Sequence, residues 1–210
     1  MGPLAARATY VVGAALLAGG ATCASAHDAP PTRSSASPLT TAPHLAVIKA
    51  APDFALRDLD GRLVQLADLR GHVALVSFVY TRCTIACPLL TARLAVLQRR
   101  AAGARAADRP MLVTITVDPE RDSTERLREY AARFGADRAT WRFLRDEPLR
   151  LAPVLSAWDE WTRPVAGGEI DHPARVYLLD RAGRIREIYA LEFFDQRQAW
   201  LDVQRLLAER

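Results

Sequence analysis

The chain has 210 residues, half of them hydrophobic, enough for one ordinary globular domain with its own core. Its 28 basic and 24 acidic side chains leave a formal charge of +4; the bases are arginines scattered among acids, with Lys49 the lone lysine. No polybasic run or nucleic-acid motif accompanies them, which argues against a nucleic-acid partner and for a solvated surface.

Residues 1–26 read as a signal peptide. Arg7 and the free amine give a weakly positive start, an apolar stretch runs from Tyr10 to Ala21, and Ala24-Ser25-Ala26 supplies the small residues a signal peptidase reads. The apolar run falls short of the roughly 20 residues that span a bilayer, so cleavage after Ala26 is expected. Left uncleaved, the segment would tether the protein to the inner membrane. "GAT" before Cys23 makes a poor lipoprotein box. Cleavage removes Cys23 and leaves Cys83 and Cys87 as the only cysteines, exposed to the oxidising bacterial periplasm. Residues 27–50, rich in Ala, Pro, Ser and Thr, read as a flexible tether that includes His27 and His44.

The folded domain is expected over 51–210. "PDFALRDLDGRLVQLADLRG" alternates around Asp60-Gly61 and predicts an N-terminal β-hairpin. "HVALVSFVY" (72–80) is a continuous apolar run, the pattern of a central strand buried on both faces. From Pro88, Leu90, Leu94 and Leu97 recur at helical spacing; Pro88 suits the first helical position, with Cys87 in the cap. "MLVTITV" (111–117) predicts a second buried strand, and Asp122 with Glu125 predicts the cap of a helix that stops at Gly135. "WRFL" (141–144) predicts a short strand, and Pro148 to Trp158 a helix. "ARVYLLD" and "RIREIYAL" flank an Arg181-Ala182-Gly183 turn, and Asp195 to Arg210 is an amphipathic helix. Helices alternating with strands behind an N-terminal hairpin predict an α/β, thioredoxin-like sandwich, its central sheet flanked by helices.

Cys83 and Cys87 then sit in a loop between a buried strand and a helix N-terminus, where unpaired N–H groups and the helix dipole favour a thiolate. A pair this close in sequence closes almost no loop, so a purely structural disulfide would contribute little. The two remaining uses are thiol–disulfide exchange and soft-metal binding. Three residues, Thr84, Ile85 and Ala86, separate the cysteines, one more than in the usual thioredoxin motif; this spacing permits a disulfide and also leaves room for both sulfurs on one ion. Two cysteines and an imidazole suit Cu(I) and accept Cu(II), whereas structural zinc ordinarily takes four protein ligands. His72 begins the central strand at the end away from the loop. His172, in "GGEIDHPARVYLLD", precedes a strand whose leading loop faces the active-site helix terminus. It is either a third metal ligand or a loop histidine beside Asp171.

Four segments together resemble the Sco/SenC family of copper proteins, thioredoxin-fold domains of cytochrome c oxidase assembly. They are the hairpin above, "SFVYTRCTIACP", "TVDPERDSTERLREYAARFG" and "IDHPARVYLLDRAGRI", in that order, with His172 85 residues after Cys87. The resemblance implies that Cys83, Cys87 and His172 are the metal ligands, and that Asp118 and Pro119 shape a loop near the site. It departs between the cysteines, where many members carry Pro-Asp and this chain has Thr84-Ile85.

The implied function is that of a periplasmic copper metallochaperone, a binding protein more than an enzyme. It would deliver copper to the binuclear copper site of a cytochrome c oxidase subunit, alongside other periplasmic copper chaperones and an upstream thiol reductant. The alternative is a thiol–disulfide oxidoreductase in which Cys83 and Cys87 reduce the cysteines of a copper site. A peroxiredoxin-like peroxidase has only Thr81 and Arg82 as local pocket residues and fits the spacing poorly. Trp158 and Trp161 read as a core edge or docking surface, and the "DPERD" acids as helix-start capping.

Overall fold

The computed structural model describes residues 45–209. The signal peptide, Cys23, His27, His44 and most of the tether lie outside the described residues. Within them, ten strands and four α-helices follow in chain order: β1 Lys49–Ala50, β2 Ala55–Asp58, β3 Leu63–Gln65, β4 Ala74–Val79, α1 Ala86–Ala101, β5 Met111–Thr116, α2 Thr124–Arg133, β6 Trp141–Arg145, α3 Pro148–Ala157, β7 Arg163–Pro164, β8 Ile170–Asp171, β9 Arg175–Leu179, β10 Arg184–Ala190 and α4 Gln196–Ala208.

Eight strands form one mixed sheet in the order β1-β10-β9-β4-β5-β6-β2-β3, and β7 pairs with β8 separately. The continuous apolar run becomes β4, buried at all six positions, because it is flanked on both sides: Val76 lies opposite Val113 on the parallel strand β5 and opposite Tyr177 on the antiparallel strand β9. The alternating segment becomes the β2–β3 hairpin, turned at Gly61 with φ of +78°, and β2 extends the sheet beyond β6. Tyr177 packs edge-to-face on both Phe78 and Trp158 in the core near the C-terminal end of β4, and the three ring centroids lie 5.0 to 5.9 Å apart. The architecture is the thioredoxin-like α/β sandwich expected.

Three boundaries differ from the sequence reading. The folded region begins before Ala51: Lys49 and Ala50 pair with β10, and Leu45 is buried with its carbonyl accepting from Arg186 Nε at 3.1 Å. A two-residue strand carries no periodicity from which to detect it. Helix α1 begins at Ala86 and not at Pro88, so Cys87 lies inside its first turn. Proline is tolerated at the third helical position because the N–H groups of the first turn have no intrahelical acceptor. The cap of α2 is Ser123, whose hydroxyl accepts from Arg126 N, and not Asp122. Gly135 ends α2 with φ of +64°, as expected.

Candidate functional site

The site assembles where β4 runs out. Asp122, freed from capping, is fully buried, and its carboxylate accepts from the backbone N–H of Thr81 at 3.1 Å and from the Thr81 and Thr116 hydroxyls. It thereby ties the loop that leaves β4 to the end of β5. Burial pushes its carboxyl up despite these donors. Cys83 follows two residues later, half-buried, its N–H closing a turn onto the Tyr80 carbonyl.

Cys87, 1 % exposed, directs its backbone N–H at the Cys83 sulfur, 3.3 Å away. This is one of the N–H groups left without a helical partner in the first turn of α1. The two thiols have opposite tendencies. Cys83 is held down at about 5, first by the hydrogen bond from the Cys87 thiol and further by the N–H groups of Cys87 and Ile85, against the opposing pull of burial. Cys87 is driven up by donating that bond and by its own burial. The reduced pair is therefore one thiolate at the accessible Cys83 and one thiol at the enclosed Cys87, sharing a proton.

His172 arrives on the loop between β8 and β9. Its Nε2 lies 3.7 Å from Cys87 Sγ, and its ring meets Tyr80 edge-on at 5.8 Å. Two contacts position the segment before it. Arg121, held by Asp118 at 2.7 Å, donates to the Gly168 carbonyl at 2.9 Å, and the Tyr80 hydroxyl bonds Glu169 and accepts from Ile170 N. Asp118 thus shapes the surroundings of the site from the Val-Asp-Pro stretch without facing the sulfurs. Asp171, the acid next to His172 in sequence, turns away to Arg163. The acid that faces His172 is Glu160, completely buried, with Oε2 3.8 Å from Nδ1.

Sequence reasoning did not single out Glu160, one of two acids between Trp158 and Trp161. Trp158 is a core residue, whereas Trp161 stays half exposed beneath Arg163. His72 sits before β4, at the opposite end of that strand from the cysteine loop.

A groove of ≈ 420 Å³ opens over Cys83 and His172, lined also by Tyr80, Ile85, Glu169 and Ile170 among others. Ile85 stands 77 % exposed at its lip. A thiolate, a thiol and an imidazole are soft to borderline donors. The 3.7 Å between Cys87 Sγ and His172 Nε2 suits two donors on one ion, given bonds of about 2.3 Å to sulfur and about 2.0 Å to nitrogen for a metal of this size. Among the described residues no three His, Cys, Asp or Glu side chains stand close enough to enclose an ion as they are. The same pair can exchange disulfides, with Cys83 as the attacking thiolate and Cys87 as the resolving thiol.

Among the described residues no helix is long and apolar enough to cross a membrane. The chain is 27 % identical over 139 residues to the SCO1 protein homolog of Bacillus subtilis, covering 65 % of this chain and 71 % of that one. Two solved structures share its fold. The ScoI protein of Bradyrhizobium japonicum, solved with copper bound, is 29 % identical with a TM-score of 0.64, over 75 % of this chain and 99 % of that chain. A SCO1/SenC family lipoprotein of Bacillus anthracis is 25 % identical with a TM-score of 0.67, over 75 % and 95 %. A sequence model of SCO1/SenC matches residues 44–208, which takes in the cysteine loop, Glu160 and His172 alike: the chain belongs to the SCO1/SenC family.

Proposed function

We propose that the protein is an exported copper chaperone that carries copper as cargo on Cys83, Cys87 and His172 and hands it to the copper-site subunit of a cytochrome c oxidase. The observation that carries the reading is the convergence of Cys87 Sγ and His172 Nε2 to 3.7 Å beside a cysteine that ionises at about 5. Copper on the related ScoI protein supports it. A thiolate already formed at Cys83 captures the ion without first losing a proton, and Cys87 releases its proton as the second sulfur engages. His172 supplies a neutral nitrogen that suits either copper oxidation state. Release proceeds by exchange, with partner thiolates replacing the more accessible Cys83 first and the enclosed Cys87 last. A leader cleaved after Ala26 would deliver the domain to the periplasm, and an uncleaved one would hold it on the inner membrane; the lipoprotein relative supports an exported site.

The unequal thiols favour a second reading, reduction of the target's own copper-site cysteines. The Cys83 thiolate would attack a target disulfide and release one target thiolate. Cys87 would then lose its proton, attack the mixed disulfide and release the second target thiol. The Cys83–Cys87 disulfide left behind has given up two electrons, which an upstream dithiol reductant restores.

The deciding experiment titrates Cu(I) into the anaerobically reduced chain against a chromophoric chelator, beside His172→Ala. Tight one-to-one binding that weakens at least tenfold in the variant is the expected result. Binding indifferent to His172, or none at all, leaves the dithiol as a redox couple only.

A further inference from the structure

Helix α3 ends in a tight αL turn. Asp159 takes φ of +58°, its N–H bonds the Ser156 carbonyl at 3.1 Å, and the Glu160 N–H reaches back to the Leu155 carbonyl at 2.8 Å. These are the two bonds of a Schellman motif, whose last residue ordinarily makes an apolar contact. Here that residue is a glutamate with no exposed surface. Aspartate tolerates the left-handed conformation better than most side chains, and Arg175 fastens Asp159 through both its carbonyl and its carboxylate at 3.0 Å. The turn therefore swings a carboxyl group into a place where hydrophobic burial alone would put a leucine.

Its partners are unequal. Oε1 lies 2.9 Å from the Tyr177 hydroxyl, which also donates to the Trp158 carbonyl at 2.7 Å. Oε2 has no hydrogen-bond partner, and neither does Nδ1 of His172, although both are buried and 3.8 Å apart. Two orphaned polar atoms facing each other in the interior are costly unless they meet. A movement of about 0.9 Å closes the gap to an ordinary N–H···O bond. With Oε1 accepting from Tyr177, the ionised carboxylate leaves Oε2 as the free acceptor toward Nδ1.

We propose that Glu160 is the positioning residue of the site: its Oε2 accepts a hydrogen bond from the Nδ1–H of His172, which holds the proton on Nδ1 and leaves Nε2 as a bare lone pair aimed at Cys87. The inference deepens the copper reading and rests on it for its functional meaning. Its geometric content stands apart, in the tautomer of a single histidine. An outer carboxylate of this kind fixes the imidazole ring and raises its basicity toward a metal.

The test is the tautomer of His172 in the full chain, copper-free and anaerobically reduced, read from two-bond nitrogen–proton correlations. Protonated Nδ1 with bare Nε2 is expected. Protonated Nε2, which would donate to the Cys87 sulfur, overturns the proposal without need of any variant. Glu160→Leu is expected to abolish the tautomer preference and weaken Cu(I) binding about ten- to hundredfold. Glu160→Gln, which keeps the shape and an acceptor oxygen, is expected to retain both. An unchanged tautomer and affinity in a folded Glu160→Leu overturns the proposal. Copper binding indifferent to His172→Ala sinks the copper reading while the tautomer still judges Glu160; collapse in His172→Ala with none in Glu160→Leu sinks this inference alone.

Discussion

Two buried polar networks lie on the paired strands β9 and β10, and they are finished to different degrees. Arg186 sits at the β-bulge between Ile185 and Glu187, where the register of β10 slips and turns its side chain inward. It donates to Asp180 at 3.1 Å, to both oxygens of Glu209 at 2.7 and 3.1 Å, and to the Leu45 carbonyl. That network ties together the N-terminal segment, the β9–β10 turn and the end of α4. The network of Glu160, Tyr177 and His172 is just as buried, yet it leaves Oε2 and Nδ1 unpaired and a thiol beside a thiolate. A network that only supports a fold is selected to close. The second network keeps donor atoms in reserve where the groove opens, at Cys83 and at His172 Nε2.

The sharpest way to break the comparison is to cut the closed network. Arg186→Ala should cost about 3 kcal/mol of stability, because it removes the donor to the Leu45 carbonyl and the guanidinium shared by Asp180 and Glu209. Copper affinity of the folded fraction should not change. Chemical denaturation alongside a Cu(I) competition titration checks both halves, and a stability loss under 1 kcal/mol would show that the cluster is decorative. Asp122→Asn should cost about 2 kcal/mol, since one of its acceptors becomes a donor facing the Thr81 and Thr116 donors. Unlike Arg186→Ala, it should also accelerate hydrogen exchange at Thr81 and Cys83.

Ser123→Ala should cost about 1 kcal/mol as the loss of an ordinary N-cap and leave the thiols unaltered. A larger effect on the cysteines from Ser123 than from Asp122 would reverse the roles assigned to the two. A further prediction concerns proton linkage. In the reduced, copper-free chain Cys83 is ionised when folded and protonated when unfolded between about pH 5 and about pH 8.5. Stability should therefore rise with pH across that window and be lost as pH falls through about 5, and Cys83→Ser should flatten the slope. The rate of alkylation at Cys83 should share the lower midpoint, with Cys87 unreactive.

Much of this was legible because strong local patterns agree with the fold. The buried run 72–80, the alternation around Asp60-Gly61 and the turn at Gly183 each produced the element expected. Cys83, Cys87 and His172 were legible as candidates from residue type, spacing and order, and the structure brings Cys87 and His172 within 3.7 Å. What stayed hidden depends on backbone detail. The one-residue shift of the α2 cap from Asp122 to Ser123 changed a capping acid into an anchor for the cysteine loop. Glu160 is brought to His172 by the left-handed conformation of Asp159, which no composition or period announces. Leu45 and β1 depend on a guanidinium 141 residues away. The likeness of Asp171 to a histidine partner was misleading for the converse reason, because adjacent residues on an extended segment point to opposite sides.

The most direct measurement of the central claim is X-ray absorption at the copper edge on the full chain loaded with one equivalent of Cu(I). Two sulfurs and one imidazole nitrogen are predicted, with the imidazole scattering lost in His172→Ala and both sulfurs retained. A wild-type shell of two sulfurs with no imidazole, or one without sulfur, would contradict the account.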